Sequence, residues 1–230
     1  WRWRDFPVLT ACGLVGLVGN QVLFIAGISL TSVTHAAIIS AIAPVMVLLG
    51  AWSMRRERIT AAKLRGVLLA MAGVVVLQCG KEPSGGATFG GDALVLVSGA
   101  VFAVFSIFGK DVATRHGSLK LNAFAYVWAG VIAVPLLGWA WGHYQPWSAS
   151  PAAWSGIVYM ALFTSIVGYL IYAYALRHFP ASYVAGVTYL QPVLATLLAI
   201  VVLSERPTVW LALSTALVLA GLYQTRAASS

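Results

Sequence analysis

Between residues 6 and 54 the chain carries no Asp, Glu, Lys or Arg, and the same holds between residues 121 and 176. A bilayer-spanning helix needs about 20 apolar residues. Each stretch is therefore long enough for two spans and the turn that joins them. Composition agrees: 60% of the residues are hydrophobic and 9% are charged, against about 25% charged in a soluble domain. The expectation is an all-α polytopic membrane protein whose first partner is the lipid bilayer. A net charge of +8 would suggest nucleic acid in a soluble protein. Here the position of the charges matters more than their sum, and no nucleic-acid partner is expected. The chain begins at Trp1 and shows no signal-peptide pattern. Cys12 and Cys79 lie in or beside apolar runs and have no metal-site or disulfide spacing, so they read as packing residues, and no cofactor or metal is expected.

The pattern predicts eight helices, over 6–28, 33–54, 60–79, 92–109, 121–141, 152–176, 181–203 and 207–225. The stretch "KEPSGGATFGGD" is a Gly/Pro/Ser loop, and Asp92 is placed to cap the helix after it. The stretch "GHYQPWSASP" is a second loop, flanked by Trp139, Trp141 and Trp147. Trp favours the membrane–water interface because it joins an apolar ring to a polar handle. Alternate connections then collect Arg2, Arg4, Arg55, Arg56, Arg58, Lys63, Arg65, Lys110, Arg115, Lys120, Arg177 and Arg226 on one side, and Lys81 and Arg206 on the other. That division of twelve to two is a positive-inside signal. It assigns both termini to the cytoplasm.

Two apolar runs end in the same Glu-Arg pair, in "MRRERITA" and in "LSERPTVW". A shift of 148 residues without gaps explains it: Pro44 falls on Pro192, Glu57 on Glu205, Arg58 on Arg206 and Gly73 on Gly221. Leu14/Leu162, Ala37/Ala185, Val45/Val193, Leu49/Leu197, Ala51/Ala199 and Ala72/Ala220 match as well. This is an internal repeat. Its two Glu-Arg pairs fall on opposite sides of the membrane, which requires an odd number of helices per copy. The second copy, 92–226, has five; the first, 1–80, shows three; residues 81–91 link them. Since 92 − 148 = −56, the arithmetic expects about 57 residues and two further helices ahead of Trp1. An inverted pair of five-helix bundles, ten helices in all, is an architecture of secondary transporters, with substrate at the midplane between copies.

The stretches "AAIISAIAPVMVLLGAWSMRRERIT" and "AGVTYLQPVLATLLAIVVLSERPT", each followed by an apolar helix with Gly73 or Gly221, resemble the EamA-type members of the drug/metabolite transporter superfamily. So does "GDALVLVSGAVFAVFSIFGKDVATRHG". The family often has Gly before the Glu; Arg56 and Ser204 stand there in this chain. The resemblance implies ten helices, cytoplasmic termini, an inner (plasma) membrane location and export of small metabolites. It does not name the substrate, and it leaves a homodimer open.

Pro44 and Pro192 are expected mid-helix, where each removes a hydrogen bond and releases the carbonyl four residues back, on Ser40 and Thr188. Broken backbone at that depth is tolerated against protein or a water-filled cavity. The neighbouring helices offer Asn20, Gln21 and Phe24; a stripe of Ser165, Tyr169 and Tyr172; Phe102, with Phe105 beside it, and Ser106; and His35 and Gln191. Polar groups within the membrane turn toward the bundle, so these are candidates to line a substrate cavity; interhelical hydrogen bonding is the plainer alternative for each. Gly13, Gly16 and Gly19 read as a ridge for close helix packing. Glu57 and Glu205 read as turn residues paired with Arg58 and Arg206, with Thr60 and Thr208 capping the next helices; a gating role is the alternative.

Nothing supports a membrane-embedded enzyme: no paired carboxylates, no His/Asp constellation and no nucleophile beside a base are visible. A retinal-type receptor would need a Lys within a span, and none is there. No carboxylate is expected inside any of the eight helices, with Asp92, Asp111, Glu57 and Glu205 all at ends. That favours a facilitator. An acid on the helices ahead of Trp1, or His35 as the proton carrier, are the alternatives.

Overall fold

The computed structural model of the chain describes residues 6–79, 86–141, 150–203 and 208–227. All regular structure among them is helical: α1 (Phe6–Ala11), α2 (Asn20–Ile28), α3 (Val33–Ser40), α4 (Ala43–Ser53), α5 (Ala61–Cys79), α6 (Phe89–His116), α7 (Ser118–Trp141), α8 (Pro151–Tyr159), α9 (Tyr169–His178), α10 (Ala181–Val187), α11 (Leu190–Leu203) and α12 (Val209–Ala227). Two π-helical segments, π1 (Cys12–Gly19) and π2 (Met160–Gly168), join α1 to α2 and α8 to α9. Seven helical runs among the described residues are long and apolar enough to cross a bilayer, and Val209–Thr225 is a shorter apolar helix. This is a multi-pass, all-α membrane protein. The second Glu-Arg pair, Glu205 and Arg206, lies outside the described residues, as do Arg2, Arg4 and Lys81.

Three expected elements differ. The helices expected at 33–54 and 181–203 are each broken in two, at residues 41–42 and 188–189. The helix expected to stop at 109 continues to His116, because Gly109 is tolerated inside a helix while Gly117, at φ +86°, turns the chain. Asp111 therefore lies within α6 rather than at its end. The N-cap of α6 is Thr88, whose hydroxyl accepts the Gly91 N–H at 3.1 Å, so Asp92 does not cap the helix. Thr60 and Thr208 do cap, accepting the N–H of Lys63 (3.2 Å) and Leu211 (3.3 Å).

The chain divides into two compact units, residues 1–18 with 108–178, and residues 19–107 with 179–230. The second is organised around α5 and α12, which occupy positions 148 residues apart and pack along each other. They run antiparallel, since Gly66 near the start of α5 meets Gly221 and Thr225 near the end of α12. A Cβ on Gly66 would stand 2.6 Å from the Gly221 carbonyl oxygen, and one on Gly73 would stand 2.9 Å from that of Ser214. Ser214 and Gly221 are the repeat positions of Gly66 and Gly73, so one contact is made twice about a local two-fold axis. Without hydrophobic drive between helices in lipid, such close backbone approach is what holds a pair together. Leu48, Val67, Ala70, Val74, Leu77, Val193 and Val218 complete the core of this unit.

The first unit is tied through α7. Gly13 of π1 packs on the backbone of Ala125, where a Cβ would come within 2.8 Å of its Cα. Trp128 Nε1 donates to the Thr10 hydroxyl at 3.1 Å, and Phe6 meets Phe124 edge-on. The π segments fall at repeat-equivalent positions, Cys12 corresponding to Met160. A π turn displaces the backbone ladder. Near the end of π2, side chains of α7 address the displaced carbonyls: the Tyr126 hydroxyl donates to Ser165 O, and Asn122 Nδ2 donates to Tyr169 O at 3.4 Å.

Candidate functional site: the two helix breaks

Each break begins with a proline. Pro44 sits in the first turn of α4, without an N–H and with a ring that would clash with the Ser40 carbonyl. So α3 stops at Ser40, and the Ala41 N–H is shared between Ala37 O (3.1 Å) and Ile38 O (3.2 Å). Pro192 acts likewise on the α10–α11 junction. There the backbone tightens: Thr188 N–H donates to Ala185 O, Tyr189 N–H to Gly186 O, and Gln191 N–H to Thr188 O at 3.0 Å. The Thr188 carbonyl is thus not released, contrary to expectation, because a three-residue turn recaptures it.

The two breaks meet. The Tyr189 hydroxyl donates to the Ala41 carbonyl at 2.6 Å, with both residues buried. Ala41 is the repeat position of Tyr189 (189 − 148 = 41). A backbone acceptor opened in one copy is therefore satisfied by a side chain of the other, which an unpaired buried carbonyl would otherwise lack at a cost of about 1–3 kcal/mol.

Beside this contact is a cavity of about 370 Å³, within the size range of small-ligand sites. Phe24, Ile28, Val33, Ala36 and Ala37 line one part; Ser40, Ala41, Thr188, Tyr189, Gln191 and Pro192 line the breaks; Val74 and Ala195 close the remainder. None of these is charged. The Thr188 hydroxyl donates to Ala185 O at 2.6 Å, leaving its lone pairs to accept. The Gln191 amide has no protein hydrogen bond among the described residues. The cavity extends from the breaks toward the α2–α3 turn and takes no lining from α4 or α10. On the α4–α10 side Val47, Leu48, Ala51 and Ala185 are completely buried.

Of the residues singled out from sequence, Phe24, Ser40, Thr188, Gln191 and Pro192 come together in this cavity. Pro44 is buried beside the first break and does not line it. Asn20 and Gln21, at the start of α2, and Phe102 and Ser106, in α6, are also outside the lining; the Ser106 hydroxyl donates to Phe102 O at 2.8 Å. Ser165, Tyr169 and Tyr172 belong to the first unit, where α7 engages the first two through their carbonyls. His35 opens α3 next to the N-cap Ser32, and its Nδ1 stands 3.0 Å from Asp92 Oδ2. Asp92 also accepts from the Thr31 hydroxyl at 2.5 Å. Tyr189 also lines the cavity, and the sequence does not mark it, because its repeat position is an alanine, Ala41.

Glu57 sits away from the cavity, beyond the end of α4. Arg55 adopts the left-handed conformation, φ 57°, and the Arg56 and Glu57 N–H groups fold back on Ala51 O. That turn carries the Glu57 carboxylate not to Arg58 but to Ser182, whose N–H donates to Oε1 at 3.2 Å and whose hydroxyl donates to Oε2. Lys63 Nζ lies 3.5 Å from Oε2, and both charged side chains are 8% exposed.

The EamA-like transporter family matches residues 1–78 and 89–226. A protein of Archaeoglobus fulgidus called an uncharacterized transporter is 30% identical over 96% of this chain and 78% of its own length. A second from the same organism is 27% identical over 98% of this chain and 77% of its own. A probable terminal-alkyne amino-acid exporter of Streptantibioticus cattleyicolor is 31% identical over 90% of this chain and 68% of its own. A protein crystal structure superposes with a TM-score of 0.83 at 21% identity, covering 97% of this chain and 77% of that one, which shows the fold.

Proposed function

The chain belongs to the EamA-like transporter family, and we propose that it is a secondary transporter that binds its substrate where the two helix breaks meet. It is a membrane transporter by that membership. The finer reading is export of small metabolites, amino acids or amphipathic compounds across the inner membrane by alternating access, with both termini cytoplasmic and the copies at 1–80 and 92–226 acting as inverted halves. One observation carries it: a cavity of about 370 Å³ is lined by Ser40 of one copy and Thr188 and Gln191 of the other. Broken backbone in a membrane persists where it faces protein or a polar cavity, and transporters use such breaks for binding.

The lining sets the chemistry. No fixed charge lines the cavity among the described residues, so the substrate part that enters it is net neutral. Its body meets Phe24, Ile28 and Val33, and its polar end meets Gln191, which can donate and accept, and Thr188, which can only accept. An aliphatic or aromatic amino acid has that form, and the amino-acid exporter among the relatives supports this class. The absence of a carboxylate from the lining favours facilitated movement down the substrate's own gradient.

The test is uptake of tritiated neutral amino acids into liposomes holding the full-length protein. Gln191→Leu should lower uptake about tenfold or more, since losing one polar contact costs about 1–3 kcal/mol, while the protein still inserts. Normal uptake by that variant would leave Gln191 as a packing residue only.

A further inference from the structure

We infer that Glu57 is a latch that seals the end of the second unit opposite the cavity, and that it must release Ser182 for substrate to pass through that end. The inference deepens the alternating-access reading above and rests on it. Three observations converge. First, the cavity opens from the breaks toward the α2–α3 turn, while α4 and α10 close on each other with Val47, Leu48 and Ala185 at zero exposure. Second, that closed half ends at Glu57, which takes the Ser182 N–H and hydroxyl together with Lys63 Nζ. Third, α10 has only seven residues, and its N-cap is Pro180, which supplies no side-chain acceptor. The first-turn N–H of Ser182 is therefore capped across the repeat, by a residue that follows α4 of the other copy.

The chemistry suits a contact that is made and broken. A carboxylate accepting from a backbone N–H, a hydroxyl and an ammonium is held by charge-assisted bonds that weaken once water enters. Lys63 offsets the buried charge, so the closed state does not strand an ion. Release needs only that the α4–α5 turn and the start of α10 part. The Arg55 turn positions Glu57 for this and does not itself line the cavity. Glu57 thus acts as a positioning residue for access, with no contact to substrate.

The test uses thiol labelling in lipid nanodiscs, where a membrane-impermeant maleimide reaches both faces. Cys12 and Cys79 of the full-length protein are first replaced by Ser. One reporter, Val47→Cys, lies between the breaks and the latch; the other, Val33→Cys, lines the open side. In the parent, the reporter at 33 should react fast and that at 47 slowly. Glu57→Gln should speed labelling at 47 by about tenfold or more, the loss expected for one charged hydrogen bond, and leave or slow labelling at 33. Ser182→Ala should move 47 in the same direction by less. Unchanged labelling at 47 overturns the latch. Equal acceleration at both reporters also overturns it, because the contact would then hold the fold rather than a route. Labelling needs no substrate, so a failure here is distinguishable from a failure of the uptake test with Gln191→Leu.

Discussion

The two helix breaks share a proline and differ in the side chains around it. Where the first copy has Ala41 and Ala43, the second has Tyr189 and Gln191. The prolines that cause the breaks are common to both copies, as are the hydroxyls beside them, Ser40 and Thr188. Repetition therefore sets the scaffold, and departure from repetition sets the chemistry: Tyr189 donates to the Ala41 carbonyl, a bond that Ala41 has no side chain to return. The α5–α12 pair shows the opposite balance. Its Gly66–Gly221 contact recurs as Gly73–Ser214, and small residues serve both copies at that crossing.

The strongest way to break the scaffold side of this comparison is at that crossing. Gly221→Leu puts a Cβ 2.5 Å from the Gly66 carbonyl oxygen. Overpacking of this kind costs about 3 kcal/mol, so the folded yield in detergent, read by gel filtration, should collapse. Gly99→Ala is the control, since its Cβ would meet Ala43 at an ordinary 3.6 Å. The chemical side is tested at Tyr189. Tyr189→Phe leaves the ring in place and deprives the Ala41 carbonyl of its donor, at a cost of about 1–2 kcal/mol. The melting temperature should fall. A mirror variant sharpens the comparison further. Ala43→Gln in a Gln191→Ala background moves the amide to the other copy, onto α4, which lines no part of the cavity; the lost uptake should therefore not return, and its return would make the two breaks chemically interchangeable. Least of all, Arg55→Gly should raise stability by about 0.5–1 kcal/mol, because glycine adopts φ 57° without the Cβ penalty that arginine bears.

Much of the fold was legible because bilayers impose long periods that survive in composition. The uncharged stretches announce the spans, the prolines announce the breaks, and the shift of 148 announces that whatever one copy does the other copies. Cap residues at Thr60 and Thr208 followed local rules and were readable as such. What could not be read depends on chain segments meeting across more than fifty residues. Glu57 looks locally paired because Arg58 follows it, yet the turn at Arg55 carries it to Ser182 instead. Asp92 looks like a cap, but Thr88 takes that place and leaves Asp92 to His35 and Thr31. The π segments have no sequence code; only their recurrence at Cys12 and Met160 ties them to the repeat. Within the candidate site, Ser40, Thr188 and Gln191 were accessible to reasoning about proline and polarity, whereas Tyr189 needed the two copies to be laid on one another in space.

The orientation of the copies rests on charge, and a single cysteine checks it. Ser118→Cys, next to Lys120 and Arg115, should resist a membrane-impermeant reagent on whole cells and react after permeabilisation.

The central claim is that substrate binds where the breaks meet, and substrate protection tests it most directly. With Cys12 and Cys79 replaced by Ser, Ser40→Cys places one thiol on the cavity wall. Neutral amino acids that the liposome assay shows to be transported should slow its labelling by maleimide in a concentration-dependent way, and should leave a cysteine at Phe163, exposed on π2, unaffected. Equal labelling of Ser40→Cys with and without a transported amino acid would contradict the account.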